Sequence, residues 1–313
     1  MAEFVSGNWF YATTMMAIVI LAISILRIKG MKKKEQGFVA AGLAVGLLLF
    51  SIENSHPLVV AALAIGILNF NGLLSGSDSK KRTAYVTLSL VYIALIHWVG
   101  FVLIAQAMMI GILSGITGIK EYKNGIENTR VEINRDFFHI AAGILLMAIF
   151  YFESISIAIT LQIFMILGGL FAISMTETFK KNRLSRFLYR LERNGASLGH
   201  GALWLALGSL FAVSFLNTAG ILAVFSALFI GDPIATIIGI HIGKHKLPYN
   251  HRKSMAGTLS YFVVTAAVSS IFIGVYGILV GAVGAITESL KTRVDDNFSV
   301  SVVLTVLLSI LGI

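Results

Sequence analysis

Residues 194–243, NGASLGHGALWLALGSLFAVSFLNTAGILAVFSALFIGDPIATIIGIHIG, run for 50 residues without a lysine or arginine and with a single acidic residue, Asp232. A transmembrane helix takes roughly 20 predominantly apolar residues, so this stretch is long enough for two crossings and a turn. The turn falls at Asn217-Thr218-Ala219-Gly220, where polar and small residues interrupt the apolar run. The segment therefore reads as a helical hairpin in a membrane.

The same pattern extends along the whole chain. All 24 Lys and Arg lie in six short clusters: Arg27 to Lys34, Lys80 to Arg82, Lys120 to Arg135, Lys180 to Arg193, Lys244 to Lys253, and Lys291 to Arg293. The gaps between them are about 37 to 50 residues, which suits two crossings each. A hairpin returns the chain to the side it left, so every basic cluster lies on one face. The bias of Lys and Arg toward cytoplasmic loops makes that face cytoplasmic and starts the N-terminus outside. Further turns fall at Glu53-Asn54-Ser55-His56-Pro57 and at Phe152-Glu153-Ser154. Gaps 83–119 and 254–290 are short for two full spans, so broken, tilted or re-entrant segments are expected there.

Composition agrees. Of 313 residues, 57% are hydrophobic and 12% charged, against roughly 25% charged in soluble domains, and the mean hydropathy is +0.88. A single water-soluble globule is excluded. The expected fold is an all-α, polytopic bundle of nine to twelve membrane segments. The run from Phe4 to Leu26 has no basic residue before it and reads as a retained first helix. With no cysteine, disulfides, Cys-ligated zinc and iron–sulfur clusters are ruled out. The net charge of +9 follows from topology. Nucleic acid is not an expected partner, because no polar stretch is long enough for a basic, stacking surface. Residues 1–125 read as N-terminal transmembrane helices and 126–313 as the domain carrying the chemistry.

Within that second region Asp232 is the most informative residue, since an intramembrane carboxylate normally faces a cavity, a cation or a partner. Gly231-Asp232-Pro233 reads as a break, with Asp at an N-cap, Pro at the first helical position and a new helix from Pro233. Such a terminus would offer amides to an ion or polar ligand. Ala235, Gly239 and Gly243 then recur every four residues, a smooth face for packing a helix or lining a ligand groove. The spacing from Gly239 to Lys244 does not match a Walker P-loop. Lys244, His245, Lys246, His251, Arg252 and Lys253 crowd the next loop, followed by Ser254, Gly257 and Thr258. A carboxylate for a divalent ion beside a basic loop supplies parts that phosphoryl transfer needs.

Two more stretches place polar groups at helix mouths. Arg135 and His139 are four apart on one helical face, and His139 is a candidate base or a structural residue. Glu288, Asp295, Asp296 and Asn297 precede the last apolar run; the Asp-Asp-Asn triplet is either a magnesium site or a helix cap.

Four blocks carry a resemblance to the CTP-dependent lipid-alcohol kinases (dolichol kinase, phytol kinase and yeast-type diacylglycerol kinase), relatives of phosphatidate cytidylyltransferase. Glu132 to Gly143 is similar to the family's Arg-Lys-x-x-His helix start, with Asp136 where Lys is usual. Glu192 to Gly201 is similar to the loop before the nucleotide block. Gly231-Asp232-x-x-Ala235-x-x-x-Gly239-x-x-x-Gly243-Lys244, followed by Arg252-Lys253-Ser254-Met-Ala256-Gly257-Thr258, resembles the elements associated with CTP, with Ala256 where the family has an acidic residue. Glu288 and Asp295-Asp296-Asn297 resemble the fourth block, without the proline that commonly follows it. Together they cover about residues 130–313.

The resemblance implies a lipid hydroxyl attacking the γ-phosphate of CTP at the cytoplasmic face, with Mg2+ as cofactor and membrane lipids around the protein. It assigns Asp232, His139 and Arg135 to catalysis. Ala235, Gly239, Gly243, Lys244, Lys246, Arg252, Lys253, Ser254, Gly257 and Thr258 go to nucleotide binding, and Asp232, Glu288, Asp295, Asp296 and Asn297 to metal. A lipid-phosphate cytidylyltransferase and a secondary transporter are the competing readings, and association into a homo-oligomer is left open.

Overall fold

A computed structural model describes residue 105 and residues 129–178, 200–291 and 295–313. The chain divides into two compact units, residues 1–120 with 163–179 and residues 121–162 with 180–313; the description concerns the second. The expected spans before residue 129, the N-terminal orientation and most of the Glu192 block lie outside the described residues.

The protein is all-α. Its described helices are α1 (Thr129–Phe152), α2 (Ile155–Thr178), α3 (His200–Phe215), α4 (Thr218–Ile242), α5 (Met255–Ile273), α6 (Tyr276–Ser289) and α7 (Asp296–Ile310). Val131–Phe152, α4 and α5 are long and apolar enough to cross a membrane, whereas Gly201–Phe215, α6 and α7 are shorter apolar helices. The turns expected at Phe152–Ser154 and Asn217 are present. Asn217 caps α4, its Oδ1 accepting from the Gly220 N–H at 2.9 Å, which satisfies one of the donors a helix start leaves unpaired.

α4 is the centre of the unit. Residues Gly220 to Phe229 are all buried, and Phe150 of α1, Phe225 and Phe229 stack edge to face at centroid distances of 5.3 Å. A Cβ built at Gly143 of α1 would lie 2.1 Å from Phe229 Cβ, so only glycine lets α1 approach this closely. On the other side α5 runs antiparallel to α4, with Ser269 Oγ donating to the Ala223 carbonyl at 3.2 Å. α5 and α6 form a tight hairpin turned at Gly274, which has φ 59. α3 and α7 are joined by Ser301 Oγ donating to the Gly208 carbonyl at 2.5 Å. The outward sides of α5 and α6 expose Leu259, Ile271, Val275, Ile278 and Ile286, as a lipid-facing surface requires.

The expected break at Gly231-Asp232-Pro233 is absent. Gly231 and Asp232 have helical dihedrals (φ/ψ −61/−54 and −62/−49), and α4 runs through as one 25-residue span. Proline lacks the N–H of the helical ladder, and its ring collides with the carbonyl four residues back. The chain accommodates it with a π-turn over Ser226–Gly231, where the Asp232 N–H bonds to the Ala227 carbonyl five residues back. Asp232 is therefore not an N-cap, and the helix terminus expected beside it does not exist. Nor are amides from Gly239 to Ile242 open to a ligand: they lie in the last turn of α4, where N–H groups bond to the preceding turn.

Candidate active site

The Asp232 side chain leaves α4 ten residues before its C-terminal end, about 15 Å along the axis. α6 and α7 are only 14 and 15 residues long, and their facing ends bring Glu288 and Asp296 to the same place. One oxygen from each of Asp232, Glu288 and Asp296 lies within 4.8 Å of the others. Glu288 is buried, and the two aspartates are part-buried.

The loop between α4 and α5 adds a cation. Lys246 and Ser254 pair as an antiparallel bridge, with Leu247 N–H donating to the Lys253 carbonyl at 3.1 Å and Met255 N–H to the His245 carbonyl at 2.9 Å. Asn250 Nδ2 donates to the Ser289 carbonyl at 3.0 Å, and the Tyr249 and Ser289 hydroxyls are 2.9 Å apart. These bonds serve a carbonyl that the end of α6 leaves without a helical partner, and they fix the loop over the carboxylates. Lys253 turns inward, its Nζ donating to Glu288 Oε1 and, at 2.8 Å, to Asp296 Oδ2. Burial opposes its charge, but the carboxylates of Asp296 and Glu288 outweigh that and hold its pKa above the ordinary lysine range. Lys244, His245, Lys246, His251 and Arg252 are exposed on the outer side of the same loop.

The other expected residues separate into groups. Ser254 caps α5, its Oγ accepting from the Gly257 N–H at 3.1 Å. Ala235, Gly239 and Gly243 pack on this turn: Cβ atoms built at Gly239 and Gly243 would meet Ser254 Oγ at 3.1 and 2.4 Å, and one at Gly257 would meet the Ala235 carbonyl at 2.9 Å. The small-residue face is thus a crossing of α4 and α5. Thr258 follows on α5, part-buried. Asp295 caps α7, accepting from the Asn297 N–H at 3.1 Å, so of the adjacent carboxylates it is Asp296 that joins the cluster. On α1, Arg135 bonds Glu132 at 2.7 Å and lies 3.7 Å from Asp136, both acids being buried. The charge of Asp136 bears on Asp232. His139 is part-buried one turn beyond Arg135.

Two further residues escaped the sequence reading. Tyr261 and Thr265 of α5 are both fully buried, and neither hydroxyl has a hydrogen-bond partner among the described residues. A signal existed: Ser254, Thr258, Tyr261, Thr265 and Ser269 recur at steps of three or four, a polar stripe at helical spacing along an otherwise apolar segment.

The cluster suits a hard divalent cation, which prefers oxygen ligands. Three carboxylates against one ammonium leave a formal charge of −2, and Glu288 Oε2 is buried with no hydrogen-bond partner among the described residues.

No family model matches the chain, and no solved structure matches it significantly. Among characterised and uncharacterised sequences, an uncharacterized protein of Methanocaldococcus jannaschii is 38% identical over 104 residues, 32% of this chain and 52% of the relative. Phytol kinase 1, chloroplastic, of Arabidopsis thaliana is 24% identical over 255 residues, 74% of this chain and 83% of the relative. Probable phytol kinase 2, chloroplastic, of Oryza sativa subsp. japonica is 34% identical over 119 residues, 32% of this chain and 39% of the relative. The match spans about half the length of the archaeal relative and most of the Arabidopsis one. The chain is thus distantly similar in sequence to plant phytol kinases.

Proposed function

We propose that this is an integral membrane kinase that transfers the γ-phosphate of CTP to the hydroxyl of a lipid alcohol, a phytol-like or polyprenol isoprenoid, at the cytoplasmic face. The observation that carries the reading is the meeting of Asp232, Glu288 and Asp296 within 4.8 Å beneath a basic loop. The similarity to phytol kinases supports a lipid-alcohol kinase at the family level; CTP as donor comes from the resemblance of residues 231–258 and 288–297.

Asp232, Glu288 and Asp296 would hold Mg2+, which when bound offsets the charge of the triphosphate oxygens. Lys253 orients two of these carboxylates through its bonds to Glu288 and Asp296. Lys244, Lys246 and Arg252, exposed on the loop, provide donors to phosphate oxygens. The lipid enters between apolar helices, so its hydroxyl reaches the carboxylates without crossing water. An oxygen–phosphorus bond forms from the lipid hydroxyl to the γ-phosphorus as the bond to the β-phosphate oxygen breaks. CDP leaves with that electron pair, and the hydroxyl proton passes to His139 or a carboxylate. A dissociative transition state demands little of this base.

The test is transfer of label from γ-phosphate-labelled CTP, with ATP in parallel, to the organic phase. Purified protein, Mg2+ and mixed phytol, polyprenol and diacylglycerol acceptors are supplied, with Asp232→Asn as control. CTP-dependent labelled lipid that disappears in the variant and with chelator is expected. Pyrophosphate release on lipid phosphates instead would make the protein a cytidylyltransferase, and solute movement in liposomes without CTP consumption a transporter.

A further inference from the structure

The Tyr261 ring is held between two glycines that index the carboxylate site. A Cβ built at Gly231, the residue before Asp232, would lie 3.5 Å from Tyr261 Cε2; one at Gly284, a helical turn before Glu288, would lie 3.0 Å from Cε1 and 3.3 Å from the hydroxyl. The phenol therefore projects between the helix that carries Asp232 and the helix that carries Glu288. The charges of Asp232, Glu288 and Asp296 all bear on it. Its hydroxyl is fully buried and has no hydrogen-bond partner among the described residues, and Glu288 Oε2 shares that condition. Thr265 Oγ1, one turn along α5, is a second buried hydroxyl without a partner among them, 2.1 Å from the position a Gly231 Cβ would take.

Buried polar atoms in native proteins nearly always have partners, and one that lacks them signals a missing water or ion. The Tyr261 hydroxyl and Glu288 Oε2, on two helices that meet at the carboxylate cluster, call for a common partner there. Small hard cations keep several waters when carboxylates bind them, and the groups that hydrogen-bond those waters set affinity almost as strongly as the ligands do. We infer that the Tyr261 hydroxyl is a positioning group for a divalent cation held by Asp232, Glu288 and Asp296, accepting a hydrogen bond from a cation-bound water. The inference rests on the proposed metal site and adds to it a residue outside the acidic set.

A hydroxyl that only braced the fold would destabilise the protein when removed, whereas one that positions a cation-bound water would not, which makes Tyr261→Phe informative. The full-length protein in detergent is titrated with Mn2+ by electron paramagnetic resonance and melted with and without Mg2+, alongside Glu288→Gln. If the inference holds, Tyr261→Phe melts at or above the wild-type temperature without cation, because a buried hydroxyl lacking a partner has been removed. Its Mn2+ dissociation constant rises about tenfold, and its gain in melting temperature from Mg2+ shrinks. An unchanged Mn2+ affinity in Tyr261→Phe, with binding lost in Glu288→Gln, overturns the role of Tyr261 and leaves the metal site standing. A wild type that binds no Mn2+ overturns both. Should Tyr261→Phe not fold, 3-fluorotyrosine at position 261 reports the same point: its 19F resonance must shift on adding Mg2+, and a resonance that stays still overturns the inference.

Discussion

Lys253 Nζ lies 2.8 Å from Asp296 Oδ2 across 43 residues of chain, and also bonds Glu288. One side chain from the loop after α4 thereby ties together the facing ends of α6 and α7. Replacing it, as in Lys253→Met, leaves the buried Glu288 without its counter-charge. Breaking a buried pair costs about 3–5 kcal/mol, and the low end applies because Lys253 and Asp296 are part-exposed. Thermal melts should show that loss, with Mg2+ restoring more stability to the variant than it adds to wild type.

Asp232→Asn separates chemistry from folding. It removes one of three mutually repelling carboxylates while keeping shape, so the melting temperature without cation should be equal to or above that of wild type. Kinase turnover should fall by about 10²–10³-fold or more, the scale of losing one preorganised electrostatic group. A variant that keeps wild-type turnover would remove Asp232 from the reaction.

The loop anchor predicts a different kinetic signature. Asn250→Ala deletes the bond to the Ser289 carbonyl and should cost about 1 kcal/mol or somewhat more, the usual net worth of such a bond. Loosening the loop that carries Lys244, Lys246 and Arg252 should raise KM for the nucleotide more than it lowers kcat. Steady-state kinetics at varied CTP checks this, and a kcat loss with KM unchanged would contradict it.

Helix approach can be tested at Gly143. An added methyl would overlap the Phe229 side chain, so Gly143→Ala should destabilise by about 1–3 kcal/mol, as overpacking does. Pairing it with Phe229→Leu should recover part of the loss. Additive effects in the double variant would show that α1 and α4 do not meet as described.

Much of this was legible in the sequence because membrane insertion imposes its own pattern. The basic-free stretch around Asn217 holds the two helices that its length implied, whereas the shorter one between Lys253 and Lys291, where broken or re-entrant segments are expected, holds two unbroken helices, the second of only 14 residues. Of the five residues that the resemblance assigns to metal, Asp232, Glu288 and Asp296 lie together. The failures have local causes. Gly-Asp-Pro signals a helix end by every neighbour rule, yet one extra residue in the preceding turn lets the helix absorb the proline. Lys253 is placed by the resemblance among the nucleotide-binding residues of the loop; its bonds to Glu288 and Asp296 join positions 35 and 43 residues apart, which no local pattern shows. Tyr261 was hidden because an aromatic in an apolar run counts as core, and its hydroxyl acquires meaning only when α4 and α6 bracket it.

The π-turn of α4 has a consequence for how this span tolerates change. Each residue advances an α-helix by about 100°, so the additional residue within Ser226–Gly231 offsets the two halves of α4 in phase by that amount. Both halves pack against α1 and α5, the half before it also against α3, and the half after it carries Asp232. Deleting any one residue there would restore a uniform helix, and with it the collision of the Pro233 ring with the carbonyl four residues back. It would also rotate Asp232 about a quarter-turn out of line with Glu288 and Asp296. The length of this six-residue segment, more than its composition, is what aligns the carboxylates.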